Sequence, residues 1–91
     1  MKFSVDKKAM IDVLNNIKGI TVGGSNVLPI LTCTKIVTDD TAITLFATDM
    51  EVHLSNRTAA TVEEQGVTVV NAKKLLDVVK AVRGDRVEFQ L

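Results

Sequence analysis

A strand, cap, helix and stop pattern recurs in this chain at a shift of 65 residues, and that recurrence restricts the folds open to it. Shifting the sequence by 65 residues lays Val5 on Val70, Asp6 on Asn71, Lys8 on Lys73, Met10 on Leu75 and Ile11 on Leu76. Further along, Asp12 falls on Asp77, Val13 on Val78, Leu14 on Val79, Ile17 on Val82, Lys18 on Arg83 and Gly19 on Gly84. Any two strand-plus-helix units share apolar positions, but coincident Lys, Asp and Gly point to duplication. The first unit fills residues 1–65 or so and the second starts near 66. The expectation is therefore one domain over 1–91, an α+β fold of repeated β-α-β units whose second copy is incomplete. On this reading the chain is a fragment.

Each unit spells out its own elements. Phe3 and Val5 alternate with Lys2 and Ser4, the period of a half-buried strand. Asp6 is a helix N-cap, and Met10, Val13, Leu14 and Ile17 then fall on one helical face, with Lys8, Asp12 and Asn15 opposite. Gly19 suits a left-handed helix stop. Residues 21–26 read as a mobile loop, closed by Val27-Leu28-Pro29-Ile30-Leu31. Strands are expected over 32–38, 42–48 and 51–61, with Asp39-Asp40 turning the chain and Asp49-Met50 forming a second turn or a bulge. Residues 62–66 read as a polar connection. Val67–Val70 is the next strand, Asn71 its cap, and 72–83 a helix with Leu75, Leu76, Val79 and Val82 inward. Gly84-Asp85 turn into a last strand over 86–91.

The formal net charge is +0, with 11 basic and 11 acidic residues, so global basicity cannot hold nucleic acid. The charge is nevertheless segregated. Lys7, Lys8 and Lys18 against Asp6 and Asp12 leave the first helix at +1; Lys73, Lys74, Lys80 and Arg83 against Asp77 leave the second at +3. The remainder sums to −4, chiefly through Asp39, Asp40, Asp49, Glu51, Glu63 and Glu64. At 100° per residue, Lys73, Asp77 and Lys80 fall within about 60° of one another, away from the apolar stripe. Two readings stand. These lysines track a nucleic-acid backbone, or they simply solvate two helices.

Catalytic chemistry finds no footing. His53 is the single histidine and sits in a strand pattern, as an ordinary sheet-surface residue would. Cys33, the single cysteine, reads as a small buried residue and excludes an internal disulfide or a multi-cysteine metal site. Asp39-Asp40 and Asp49/Glu51 lack an oxygen-ligand loop pattern and read as turn residues. Gly23-Gly24-Ser25 follows a helix instead of linking strand to helix, unlike a phosphate loop. The Asn56-Arg57-Thr58 sequon stands in a chain whose start has no apolar leader core. No apolar run approaches the roughly 18 residues of a membrane span. The expectations are no catalytic residue, no metal, no cofactor, no membrane, and a cytoplasmic protein.

Four motifs carry a family resemblance across the whole chain: Met1-Lys2-Phe3-Ser4-Val5, Leu28-Pro29-Ile30-Leu31, Ala47-Thr48-Asp49-Met50-Glu51 and Asn71-Ala72-Lys73-Lys74-Leu75. In this order and spacing the set resembles the bacterial sliding-clamp family, the beta subunits of DNA polymerase III, in the first of their three domains. The resemblance implies a DNA-clamp-type domain with two amphipathic helices on antiparallel β-sheet. Six such domains, in a head-to-tail homodimer, form a ring around double-stranded DNA, with helices inside and acidic sheet surfaces outside. The implied function is processivity: a ring sliding on DNA tethers the polymerase. It further implies backbone contacts from the pore-facing Lys8, Lys73 and Lys80, and a subunit interface at Lys74. Clamps often carry a DNA-touching arginine in the loop before Leu28-Pro29; this chain has Gly24-Ser25-Asn26 there, leaving Ser25 as the candidate. The polymerase catalytic subunit and the clamp loader would dock on the other domains. The alternative is a free-standing α+β interaction module without a DNA role.

Overall fold

Two side-chain caps set where the helices begin. The Asp6 carboxylate accepts the Ala9 N–H at 3.0 Å, and the Asn71 carboxamide oxygen accepts the Lys74 N–H at 2.9 Å. Each satisfies an amide that the first helical turn leaves without an intrahelical partner. The computed structural model describes residues 1–18, 33–48 and 52–91. Its elements are β1 (Lys2–Asp6), α1 (Lys7–Lys18), β2 (Cys33–Thr38), β3 (Ala42–Thr48), β4 (His53–Ala59), β5 (Thr61–Glu64), β6 (Val67–Asn71), α2 (Ala72–Ala81) and β7 (Arg86–Gln90). The readings of Gly19, of residues 21–31 and of Asp49-Met50 lie outside the described residues.

The strands form two antiparallel sheets, ordered β5-β1-β7 and β4-β3-β2-β6. Their pairing is reciprocal. β1 leads into α1 and pairs with β7, the strand after α2; β6 leads into α2 and pairs with β2, the strand after α1. Even the junctions match, since Asp6 lies opposite Arg86 and Asn71 opposite Cys33, each cap residue facing the first residue of the other unit's following strand. A single hydrophobic cluster joins both helices to both sheets, with Met10, Val13, Leu14 and Ile17 from α1 and Leu76 and Val79 from α2. Leu75 and Val82 pack partly buried against it.

Two boundaries differ from the sequence reading. The strand expected over 51–61 breaks at Ala60, and Thr61–Glu64 crosses to the other sheet as β5, where a polar connection was expected. There Val62 stands opposite Phe3 and packs against the core, while Glu63 pairs with Lys2 at 3.2 Å. The second helix ends at Ala81, with Val82 already extended, so Arg83 is not helical. Gly84 follows at φ 94, a backbone region that side chains disfavour, and turns the chain into β7. The β2–β3 turn is held by Asp39, whose carboxylate accepts the Thr41 and Ala42 N–H groups at 2.9 Å each and meets Arg57 at 2.9 Å. The Thr41 amide first, and then Arg57, hold this carboxyl below its ordinary range.

The two copies part company at one aligned valine. Val13 is 5% exposed, but Val78 is 60% exposed. α1 lies on β3 and β4 as well as on α2, whereas α2 lies against α1 and β6. Val13→Ala is therefore expected to lower stability by about 1.5–3 kcal/mol, the value of a fully buried valine or leucine side chain. Val78→Ala is expected to stay within about 0.5 kcal/mol of the parent. Equal losses in urea denaturation would mean that the two valines are equally covered.

Candidate nucleic-acid interface

Because the apolar stripes of α1 and α2 both face the cluster, their polar residues share the opposite side. Lys8, Asp12, Asn15 and Asn16 on α1 are exposed, as are Lys73, Lys74, Asp77 and Lys80 on α2. The helices touch one another, so these side chains make one surface. The ion pairs among the described residues join the Met1 ammonium to Glu64, Lys2 to Glu63 and Arg57 to Asp39. None of them uses a helix lysine, and the charge on this surface is available to a partner.

The placement of that charge bears on both readings of the lysines. A helix that only solvates itself gains from carboxylates in its first turn and loses from cations there, because its N-terminus is already positive. Neither helix has an acid in its first turn. Lys8 and Lys73, with Lys74 beside it, occupy those turns instead. At α2, whose cap Asn71 is neutral, these lysines add to the field that attracts anions; at α1 the Asp6 carboxylate offsets it.

Lys7 belongs elsewhere. It is half-buried, and its ammonium donates to the Val82 carbonyl at 2.5 Å, while its backbone N–H donates to the Asp85 carbonyl at 2.7 Å. It thus closes the C-terminal end of α2, where a cation is favourable. Counting Lys7 with the outer charge of the first helix missed this. The signal was in the repeat, which aligns Lys7 with the buried Ala72. Ser25 lies outside the described residues.

The described acidic residues do not gather on one outward sheet face; Asp49 and Glu51 lie outside the described residues. The outward face of the four-stranded sheet includes Lys35, Phe46, Ser55 and Val69, cross-strand neighbours in register. Among the described residues its fixed charges are Lys35 and the paired Arg57. Asp39 and Asp40 lie at a turn, Glu63 and Glu64 on the edge strand β5, and Glu88 on β7. In the three-stranded sheet Glu63 and Glu88 share a face with Lys2 and Arg86, which leaves it mixed in sign. His53 is exposed on β4, and Cys33 is half-buried at the start of β2. Among the described residues no cluster of potential metal ligands occurs, and no helix is long and apolar enough to cross a membrane.

Two lysine-bearing helices lying side by side over reciprocally paired antiparallel sheets define a clamp-type α+β domain. Over residues 1–91 the sequence matches the family described as DNA polymerase III beta subunit, N-terminal domain, and the chain belongs to that family. It is 31% identical over 101 residues to the beta sliding clamp of Vibrio cholerae, covering 99% of this chain and 27% of that protein. With the beta sliding clamp of Vibrio harveyi it shares 30% identity over 88 residues, 96% of this chain and 60% of the relative. The chain thus spans about a quarter of the first relative's length and three-fifths of the second's. Among solved structures it superposes on the DNA polymerase III subunit beta of Pseudomonas aeruginosa with a TM-score of 0.88 at 27% identity, covering 100% of this chain and 25% of that one. The Helicobacter pylori beta clamp bound to a DNA ligase peptide gives a TM-score of 0.91 at 18% identity, again over 100% of this chain and 25% of the other, and shows the shared fold.

Proposed function

We propose that these residues are the first domain of a sliding clamp, a ring that encircles duplex DNA and keeps the replicative polymerase on its template. α1 and α2 face the DNA, with Lys8, Lys73 and Lys80 reaching phosphates and Ser25 contributing a further contact. Lys74 lies at the boundary between two subunits of a head-to-tail homodimer. The polymerase III catalytic subunit and the clamp loader engage the remainder of the full-length protein in the cytoplasm. The part played by this chain is mechanical, with no catalysis, cofactor or metal. Residues 1–65 and those from 66 onward are the two repeats of the domain.

One observation supports this reading above the others: a continuous exposed surface of two helices whose first turns carry lysine without acid, on the fold of a family whose relatives are named beta sliding clamps. Such a surface suits sliding. Point charges follow the backbone without reading bases, so the ring meets the same potential at every step.

The intact, ring-forming protein carrying Lys73→Glu and Lys80→Glu tests it. Each phosphate contact contributes a slope of about −0.9 to the dependence of log affinity on log salt. Losing two contacts should make that slope shallower by about two units, with the dimer preserved. Anisotropy of a labelled short duplex measures the slope, and an unchanged value would remove both lysines from the interface.

A further inference from the structure

The side of the four-stranded sheet turned away from the core holds a cavity of about 440 Å³ that the DNA-facing reading does not use. Its lining includes Lys35, Phe46, His53, Leu54, Ser55 and Val69. A solvated sheet face normally alternates apolar-in with polar-out. Here Phe46 and Val69, 41% and 49% exposed, stand outward on either side of Lys35 in one cross-strand row. Val67, next outward on β6, extends the apolar strip. Contiguous apolar surface bordered by polar groups marks an interaction site more often than scattered single residues do.

Charge selects the occupant. The Lys35 ammonium lies 5.9 Å from the centre of the Phe46 ring, a cation–π approach, and takes part in none of the ion pairs among the described residues. His53 borders the same cavity, and no described residue of this face is a carboxylate. We propose that this face docks an acidic peptide segment of a partner protein, an apolar side chain seated on Phe46 and Val69 and a flanking carboxylate on Lys35. Nucleic acid suits it less. Lys35 already covers the Phe46 ring on which a base would stack, and Arg57 is engaged by Asp39, leaving one fixed cation where backbone tracking needs several. In this sheet Ile36 and Leu45 point into the core while Lys35 and Phe46 point out, so the face and the helical surface lie on opposite sides and can be occupied together.

The probe is acetyl-Glu-Glu-Ile-Glu-Glu-amide, titrated into the isotope-labelled protein and followed by amide chemical shifts. Its glutamine counterpart, acetyl-Gln-Gln-Ile-Gln-Gln-amide, and oligothymidylate serve as comparisons. Shifts should cluster at Lys35, Phe46, Ser55 and Val69, and the glutamine peptide should bind more weakly. Lys35→Gln should weaken binding roughly two- to fivefold, the range of one exposed ion pair. Phe46→Ser should weaken it about tenfold, as loss of an aromatic anchor does. Both positions are exposed, and unchanged core resonances will certify the fold of each variant. Shifts absent or scattered over the molecule, equal binding of the glutamine peptide, or preferential binding of oligothymidylate to this face would each overturn the proposal.

Discussion

Replacing Phe3 by alanine is expected to lower stability by about 3–5 kcal/mol, the usual range for a buried phenylalanine. Phe3 is fully buried on β1, the central strand of the three-stranded sheet, opposite Val62 on one side and Phe89 on the other. Its ring stacks on Phe89 with centroids 4.8 Å apart and planes 16° from parallel. The chain holds 3 phenylalanines and neither Trp nor Tyr, so beside the Phe3–Phe89 pair the core is aliphatic. A domain of this size has only about 5–15 kcal/mol to lose, and the variant would be substantially unfolded at the lower end of that range. Phe3→Leu retains most of the volume and should cost less than about 1.5 kcal/mol. Urea denaturation of both variants checks the pair. A loss below about 1 kcal/mol for alanine would mean that β5 and β7 close over the gap, contrary to the cavity cost seen in close-packed cores.

The same strand shows which parts of this fold can be read locally. Asp6 and Asn71 mark helix starts because capping involves residues three positions apart, and both caps form. Met10, Leu14 and Ile17 announce a buried face through their spacing alone, and all three are buried. The break at Ala60 had no such signal. Thr58-Ala59-Ala60-Thr61 contains no Gly or Pro, and what detaches β5 from β4 is its pairing with β1, some sixty positions away in sequence. The acceptor of Lys7, the Val82 carbonyl at the far end of the chain, is equally non-local, and only the repeat alignment with Ala72 marked Lys7 as inward. The outward lysines of the candidate surface were readable from helical periodicity. The apolar sheet face was not, because Lys35, Phe46 and Val69 belong to three strands whose register no single strand encodes.

The 91-residue chain, purified by itself, is expected to self-associate through β7. In its sheet β7 pairs with β1 along one side, and among the described residues nothing pairs with the other. Its counterpart β2 pairs on both sides, with β6 and with β3. An open strand edge is a template for another strand, and β7 lacks the proline or bulge that commonly blocks such an edge. Charge selects the register between two copies. Antiparallel pairing with Val87 opposite itself sets Arg86 of each copy against Glu88 of the other, and each such cross-strand pair contributes about 0.2–1 kcal/mol. Pairing centred on Glu88 would set like charges together. Glu88→Arg should therefore weaken association by about tenfold, since both attractive pairs become repulsive. Adding Arg86→Glu to that variant should restore association. Sedimentation velocity over a range of concentrations measures each step, with hydrogen exchange at residues 86–90 locating the contact. A monomer at high concentration with slowly exchanging amides on both sides of β7 would show the edge to be closed within the single chain, and association unaffected by either swap would place the contact elsewhere.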